Sequence, residues 1–178
     1  ADHPSTTRNL RYYGDGFADF LAEKYPDNPE LGELARLDWR LRHAFDAADA
    51  TPLDAARIGE LGDAWIEIPL SLHPAASIIH VEYNIVALWT PLSKEEYVPP
   101  LERLPTPMPI LIWRQDYQPS FRSMKGEEAA ALSLLHSPMS FTMLSEQMIA
   151  RLGEDQVAIS LGTWLGRWLA EGLLVPTT

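Results

Sequence analysis

The five histidines, His3, His43, His73, His80 and His136, are the residues best suited to metal binding or proton transfer in this chain. None stands four positions from another, and none follows a glutamate at E-x-x-H spacing, so the sequence spells out no zinc-type ligand set. The chain has no cysteine. That removes thiolate ligands, disulfides and thiol nucleophiles. Serine is plentiful, yet neither a G-x-S-x-G elbow nor a glycine-rich phosphate loop occurs. The carboxylate neighbours Glu95-Glu96 and Glu127-Glu128 read as solvated faces rather than as a catalytic dyad. His73 precedes Pro74 at an expected strand end, where its simplest role is to hydrogen-bond the turn. The tryptophans read most simply as core. No reaction centre assembles from these residues, and the expectation is a protein that is not an enzyme and needs no cofactor or metal.

Elements of modest size must position whatever the chain does hold. Its 178 residues suffice for one or two domains with a real core. The net charge is −11, and no stretch approaches a membrane span. Seven basic residues face fifteen acidic ones up to Leu92, and seven face ten beyond it. Neither part has the Lys/Arg-rich face that neutralises phosphates, which weighs against nucleic acid. No signal peptide is recognisable, so a cytoplasmic address is the default. The chain opens at Ala1 rather than Met, consistent with a fragment or a processed product.

Apolar spacing predicts a helix over residues 9–25 and a second over 29–50, whose stripe is Leu31, Leu34, Leu37, Leu41, Phe45 and Ala48. Trp39 lies off that stripe and needs a second surface to cover it. A short helix over 53–61, an edge strand over 65–72 ended by His73-Pro74, a strand over 77–81 and a helix over 83–89 follow. Pro91, Pro99, Pro100, Pro105, Pro107 and Pro109 then crowd one stretch. Proline fixes φ and lacks an amide donor, so the segment reads as a semi-rigid connector and not as a central strand. Beyond it, 109–122 predicts a β-hairpin, followed by helices over 127–136, 141–152 (N-cap Ser140, stop Gly153) and 155–171 (stop Gly172). The expected fold class is α+β: a mainly helical domain with short strands over 1–92, a Pro-rich linker over 93–108, and a hairpin plus three helices, resembling a winged helix, over 109–178.

Several segments together resemble the HvfC/BufC family, whose members have been catalogued as DNA-binding-domain proteins. They are His3-Pro4-Ser5-Thr6 with Asn9-Leu10, Tyr13-Gly14 and Phe17-x-x-Phe20-Leu21; Leu34-Ala35-Arg36-Leu37-Asp38-Trp39 with His43-Ala44-Phe45; and Leu70-x-Leu72-His73-Pro74 with Val86-Ala87-Leu88-Trp89. In the C-terminal half they are Trp113-Arg114-Gln115 and Trp168-Leu169-Ala170-x-Gly172-Leu173-Leu174. A further helical segment usually precedes the His-Pro-Ser element in that family and is absent here. The resemblance implies a non-catalytic partner subunit of a BufB/MbnB-type iron oxidase that modifies a cysteine-containing precursor peptide in ribosomal peptide natural-product biosynthesis. Arg36, Asp38, Trp39, His73, Pro74 and Trp89 are then the expected partner-binding residues. Ile110, Leu111, Ile112 and Trp113 are expected to form a hairpin edge that takes an extended peptide by strand addition. The competing expectation is a transcriptional regulator with a helix-turn-helix-like C-terminal unit. Its last helix offers only Arg167 as a basic side chain, where a recognition helix normally presents several polar or basic groups.

Overall fold

A computed structural model describes residues 14–94 and 97–177. The fold is α+β. Its elements run α1 (Phe17–Lys24), α2 (Pro29–Asp46), α3 (Ala55–Leu61), a 3-10 turn (Gly62–Glu67), β1 (Leu70–Leu72), β2 (Ser77–Tyr83), α4 (Ile85–Lys94), β3 (Arg103–Gln115), β4 (Gln118–Ser123), α5 (Gly126–Leu134), α6 (Phe141–Leu152), α7 (Glu154–Ala170) and β5 (Leu174–Pro176). The His3-Pro4-Ser5-Thr6 segment and the start of the first expected helix lie outside the described residues.

Local chemistry explains most boundaries. Pro29 sits in the first turn of α2, where a missing amide costs nothing. Ser140 caps α6 by accepting the Met143 amide, and Asp54 caps α3 by accepting the Arg57 amide. At the end of α7, Gly172 takes φ 65°, and the Leu173 amide turns back to the Trp168 carbonyl at 2.9 Å. Only glycine adopts that left-handed conformation without strain. The chain then runs straight into β5, which pairs antiparallel with β1.

The main sheet has the order β2-β3-β4, antiparallel throughout. This corrects the connector reading of 93–108, because strand begins at Arg103 and β3 is the central strand. Three features let a proline-rich segment serve there. Pro105 and Pro107 fall where the β2–β3 register jumps, between the pairs Val81 with Met108 and Tyr83 with Arg103. They also lie beyond the end of β4, whose last pair is Ser123 with Ile110. Pro109 needs no donor, because it takes part through its carbonyl, which accepts the Met124 amide at 2.9 Å.

A two-sided sheet makes two hydrophobic clusters. Leu111 and Trp113 face a core with Leu132, Leu144, Met148, Val157, Leu161 and Trp168, and this core also takes in Leu53, Leu70, Leu72 and Leu174. Ile110 and Ile112 face the opposite way, toward Leu37, Leu41, Ala44, Ile79, Val81, Ile85 and the half-buried Trp89 and Phe121. Alternation of side chains along β3 is the cause. The expected division at 92 and 109 is thereby corrected: residues 53–72 complete the C-terminal core, and β2 pairs with β3 across the supposed linker.

Candidate functional site

Helix α2 places Asp38, Arg42 and Phe45 along one side, with Trp39 and His43 beside them. Together with Trp89 of α4 and Pro119 of β4 they line an open groove of about 550 Å³. Trp89 packs edge-on against Phe121, with ring centroids 5.1 Å apart, which fixes the wall next to β4. Trp39 is held by its indole amide, which donates to Asp15 Oδ1 at 2.9 Å, and by an edge contact with His43. Its ring lies so close to Gly14 that a β-carbon there would sit 2.6 Å away, so the turn before α1 must carry glycine. Phe45, expected on the buried stripe, is instead 52% exposed at the groove's mouth. Ala44 takes the core position one residue earlier.

The expected partner-binding residues do not form one site. Asp38, Trp39 and Trp89 meet in the groove, where Asp38 pairs with Arg42 at 3.0 Å. Arg36 reaches across to Asp19 of α1, at 3.0 Å. His73 lies at the end of β1 and is 8% exposed. Its Nδ1 accepts the Ala75 amide at 3.0 Å, which puts the ring proton on Nε2, 3.3 Å from the Ala50 carbonyl. Burial pushes its pKa below the ordinary histidine value, with the Ala50 hydrogen bond opposing. His73 is thus a turn-organising residue, and the neighbouring Pro74 is exposed.

Ile110, Leu111, Ile112 and Trp113 offer no open edge, which corrects the hairpin-edge expectation. Each is buried, and each is paired to β4 on one side, with Ile110, Leu111 and Ile112 paired also to β2 on the other. Among the described residues, the outer edges of this sheet are those of β2 and β4. Met124 bonds to Pro109, so the odd-numbered residues of β3 turn their backbone groups toward β4, and their partners on β4 are Arg122, Ser120 and Gln118. Pro119, Phe121 and Ser123 therefore turn outward. The amides of Phe121 and Ser123 have no partner among the described residues. Since Pro119 also lines the groove, this edge borders it.

Two polar constellations escaped the sequence reading. Arg114, at the end of β3, donates to the Phe45 carbonyl at 2.6 Å, to the Ala47 carbonyl at 3.3 Å and to Asp49, while Gln115 donates to the Ala170 carbonyl at 2.9 Å. The hairpin tip therefore ties down the C-terminal ends of both α2 and α7, where carbonyls lack helical partners. The turn itself holds Asp116 and Tyr117 at φ 48° and 64°, the left-handed pair a two-residue hairpin demands. On the closed face, Arg122 donates to Glu171 at 2.7 and 2.9 Å and to Glu128 at 2.7 and 3.3 Å. The Trp168 indole donates to the same Glu128 at 3.2 Å. Burial opposes the charge on Arg122, but the two carboxylates outweigh it and raise its pKa. Glu128, expected on a solvated face, is 3% exposed. Single residues in a sequence carry no sign of such a clamp, because its members come from separate elements.

A second cavity, of about 480 Å³, lies between the α2–α3 segment, the hairpin tip and the end of α7. Its carboxylates are largely used internally: Asp49 by Arg114, Asp54 by the Arg57 amide and Glu171 by Arg122. Among the described residues, no group of three or more His, Asp or Glu side chains is placed to hold a metal ion. No helix among them is long and apolar enough to cross a membrane. No protein-family model matches the chain, and no curated protein matches it significantly.

Proposed function

We propose that this chain is a non-catalytic partner subunit that grips an iron-dependent, peptide-modifying oxidase of the BufB/MbnB type together with its cysteine-containing precursor peptide. The observation that carries the reading is the groove between α2, α4 and β4. It gathers Asp38, Trp39 and Trp89, three residues of the resemblance to the HvfC/BufC family, beside a strand edge whose outward amides have no partner among the described residues. Open concave surfaces walled by aromatic side chains are common protein-binding sites, because Trp and Phe bury much apolar area with few rotamers to fix. A strand edge adds sequence-tolerant backbone hydrogen bonds, and alternate side chains of the added strand enter the groove. Phe45 is exposed in the lining of the groove, and Leu92, Tyr97 and Leu101 are exposed on α4 and the segment that follows it. In this reading iron and its ligands belong to the oxidase, while this chain supplies docking and orientation. α7, the helix a DNA-binding reading would place in a groove, carries Arg167 alone among basic residues, at 3.9 Å from Glu128.

Co-expression with a candidate oxidase and precursor tests the proposal. The expected result is a complex that co-elutes, and a Trp89→Ser, Phe45→Ser double variant that folds but loses oxidase or peptide affinity by about tenfold or more. Independent elution of wild-type chain and oxidase, with no peptide binding by fluorescence anisotropy, would sink it.

A further inference from the structure

The other free edge of the sheet carries a separate inference. Since odd-numbered residues of β3 turn toward β4, Met108, Ile110 and Ile112 turn their backbone groups toward β2. Their register partners Val81, Ile79 and Ser77 therefore turn inward, leaving Ile78 and His80 to turn outward. Neither outward amide nor carbonyl has a hydrogen-bond partner among the described residues. Unpaired backbone groups persist in folded proteins where water or another chain can reach them. The next outward amide, that of Glu82, is already closed by the Glu33 carboxylate at 2.6 Å.

Native sheets usually blunt such an edge with proline, lysine or a bulge. The outer edge of β4 has Pro119 turned outward. Between Ser77 and Val81 β2 has none of these, and its sequence of Ser77, Ile78, Ile79, His80 and Val81 favours strand.

The geometry points to this edge as a self-pairing surface, on which a second copy of the chain adds antiparallel about a two-fold axis at Ile79. In that register Ile78 of each copy lies opposite His80 of the other. The outward amides and carbonyls of both residues are then all paired, and none is left over. Ser77 comes opposite Val81, and no like charges are directly opposed. A slide one way would bring in Glu82, whose amide is held by Glu33, and a slide the other way would bring in Ala76, whose amide is held by the His73 carbonyl, so one register is favoured. An isologous pairing of this kind closes on itself and builds no fibre. Each copy carries a net charge of −11, so association is weak at low salt and strengthens as salt screens the repulsion.

Sedimentation of the full chain over low-micromolar to submillimolar concentration, at low and high salt, tests this. A monomer–dimer equilibrium favoured by salt is expected. His80→Pro removes an outward amide and leaves the β2–β3 ladder intact, so it should weaken the dimer about tenfold or more with the circular dichroism spectrum unchanged. Hydrogen exchange on the wild type needs no variant: the Ile78 and His80 amides should gain protection on concentration and lose it on dilution. A monomer at every concentration, or a dimer in which these amides exchange at the dilute rate, would overturn the inference. So would protection that appears only when precursor peptide is added.

Discussion

The two faces of the β2-β3-β4 sheet solve opposite problems. The face bearing Leu111 and Trp113 is roofed by α5, α6 and α7 and sealed by the Arg122–Glu128–Glu171 clamp. The face bearing Ile110 and Ile112 is covered by α2 and α4, and the Arg36–Asp19 and Arg42–Asp38 pairs of α2 are exposed. Between those two helices and β4 it leaves the groove. One face therefore carries stability, and the other combines a smaller core with accessible aromatic surface. Arg114 and Gln115 join them, because the hairpin tip holds the end of a helix from each side. The groove is thus linked through the hairpin tip to the closed core, while Trp89 packs against the smaller cluster.

Glu128→Ala should produce the largest effect. It leaves the buried Trp168 indole without its acceptor and the Arg122 guanidinium with Glu171 as its one remaining carboxylate, so a loss of about 3 kcal/mol or more is expected in denaturant unfolding. Asp38→Ala, on the open face, should cost no more than about 1 kcal/mol, as exposed pairs do. Similar losses at both positions would erase the distinction between the faces. Arg114→Ala, at the junction, should fall between them, at about 1.5–3 kcal/mol for hydrogen bonds to a charged donor.

Protonation sharpens the comparison further. The His73 pKa is lowered on folding, so the unfolded chain binds its proton first as pH drops. His73 stability is therefore complete above about pH 6.5 and drains away as pH falls toward the lowered folded value. On the open face, burial raises the pKa of Glu33 above its ordinary value despite the Glu82 and Tyr83 amides. Its contribution has the opposite sign, being fullest below about pH 4.5 and lost as pH rises through the folded value. Melting temperatures of His73→Gln and Glu33→Gln across that range should lose these two slopes separately. The smallest effect is expected at Trp113. Its indole amide is buried without a partner among the described residues, so Trp113→Phe should change stability by no more than about 1 kcal/mol.

Local chemistry was readable from residue order to a useful degree. The start of α2 at Pro29, the Ser140 cap, the stops at Gly153 and Gly172 and the β3–β4 hairpin all follow from neighbours a few positions apart. Trp39, Asp38 and Trp89 could be picked out, but their meeting in one groove could not, because Trp89 reaches it from α4. Glu128 misled for the same reason. Beside Glu127 it looks solvated, and only Arg122 from β4 and Trp168 from α7 make its burial tolerable. Phe45 fits the period of α2, yet Ala44 takes the core position and leaves the larger ring outside.

Composition and short-range pattern, by themselves, determined that the chain is acidic, cysteine-free and built from short amphipathic helices around a hairpin. Tertiary structure alone decided that a proline-rich stretch becomes the middle strand, that residues before it complete the core behind it, and which strand edges stay open. The physical reason is that helices, caps and turns are stabilised by residues within about four positions of one another. Strand pairing and buried charge instead depend on partners that only the folded chain brings together.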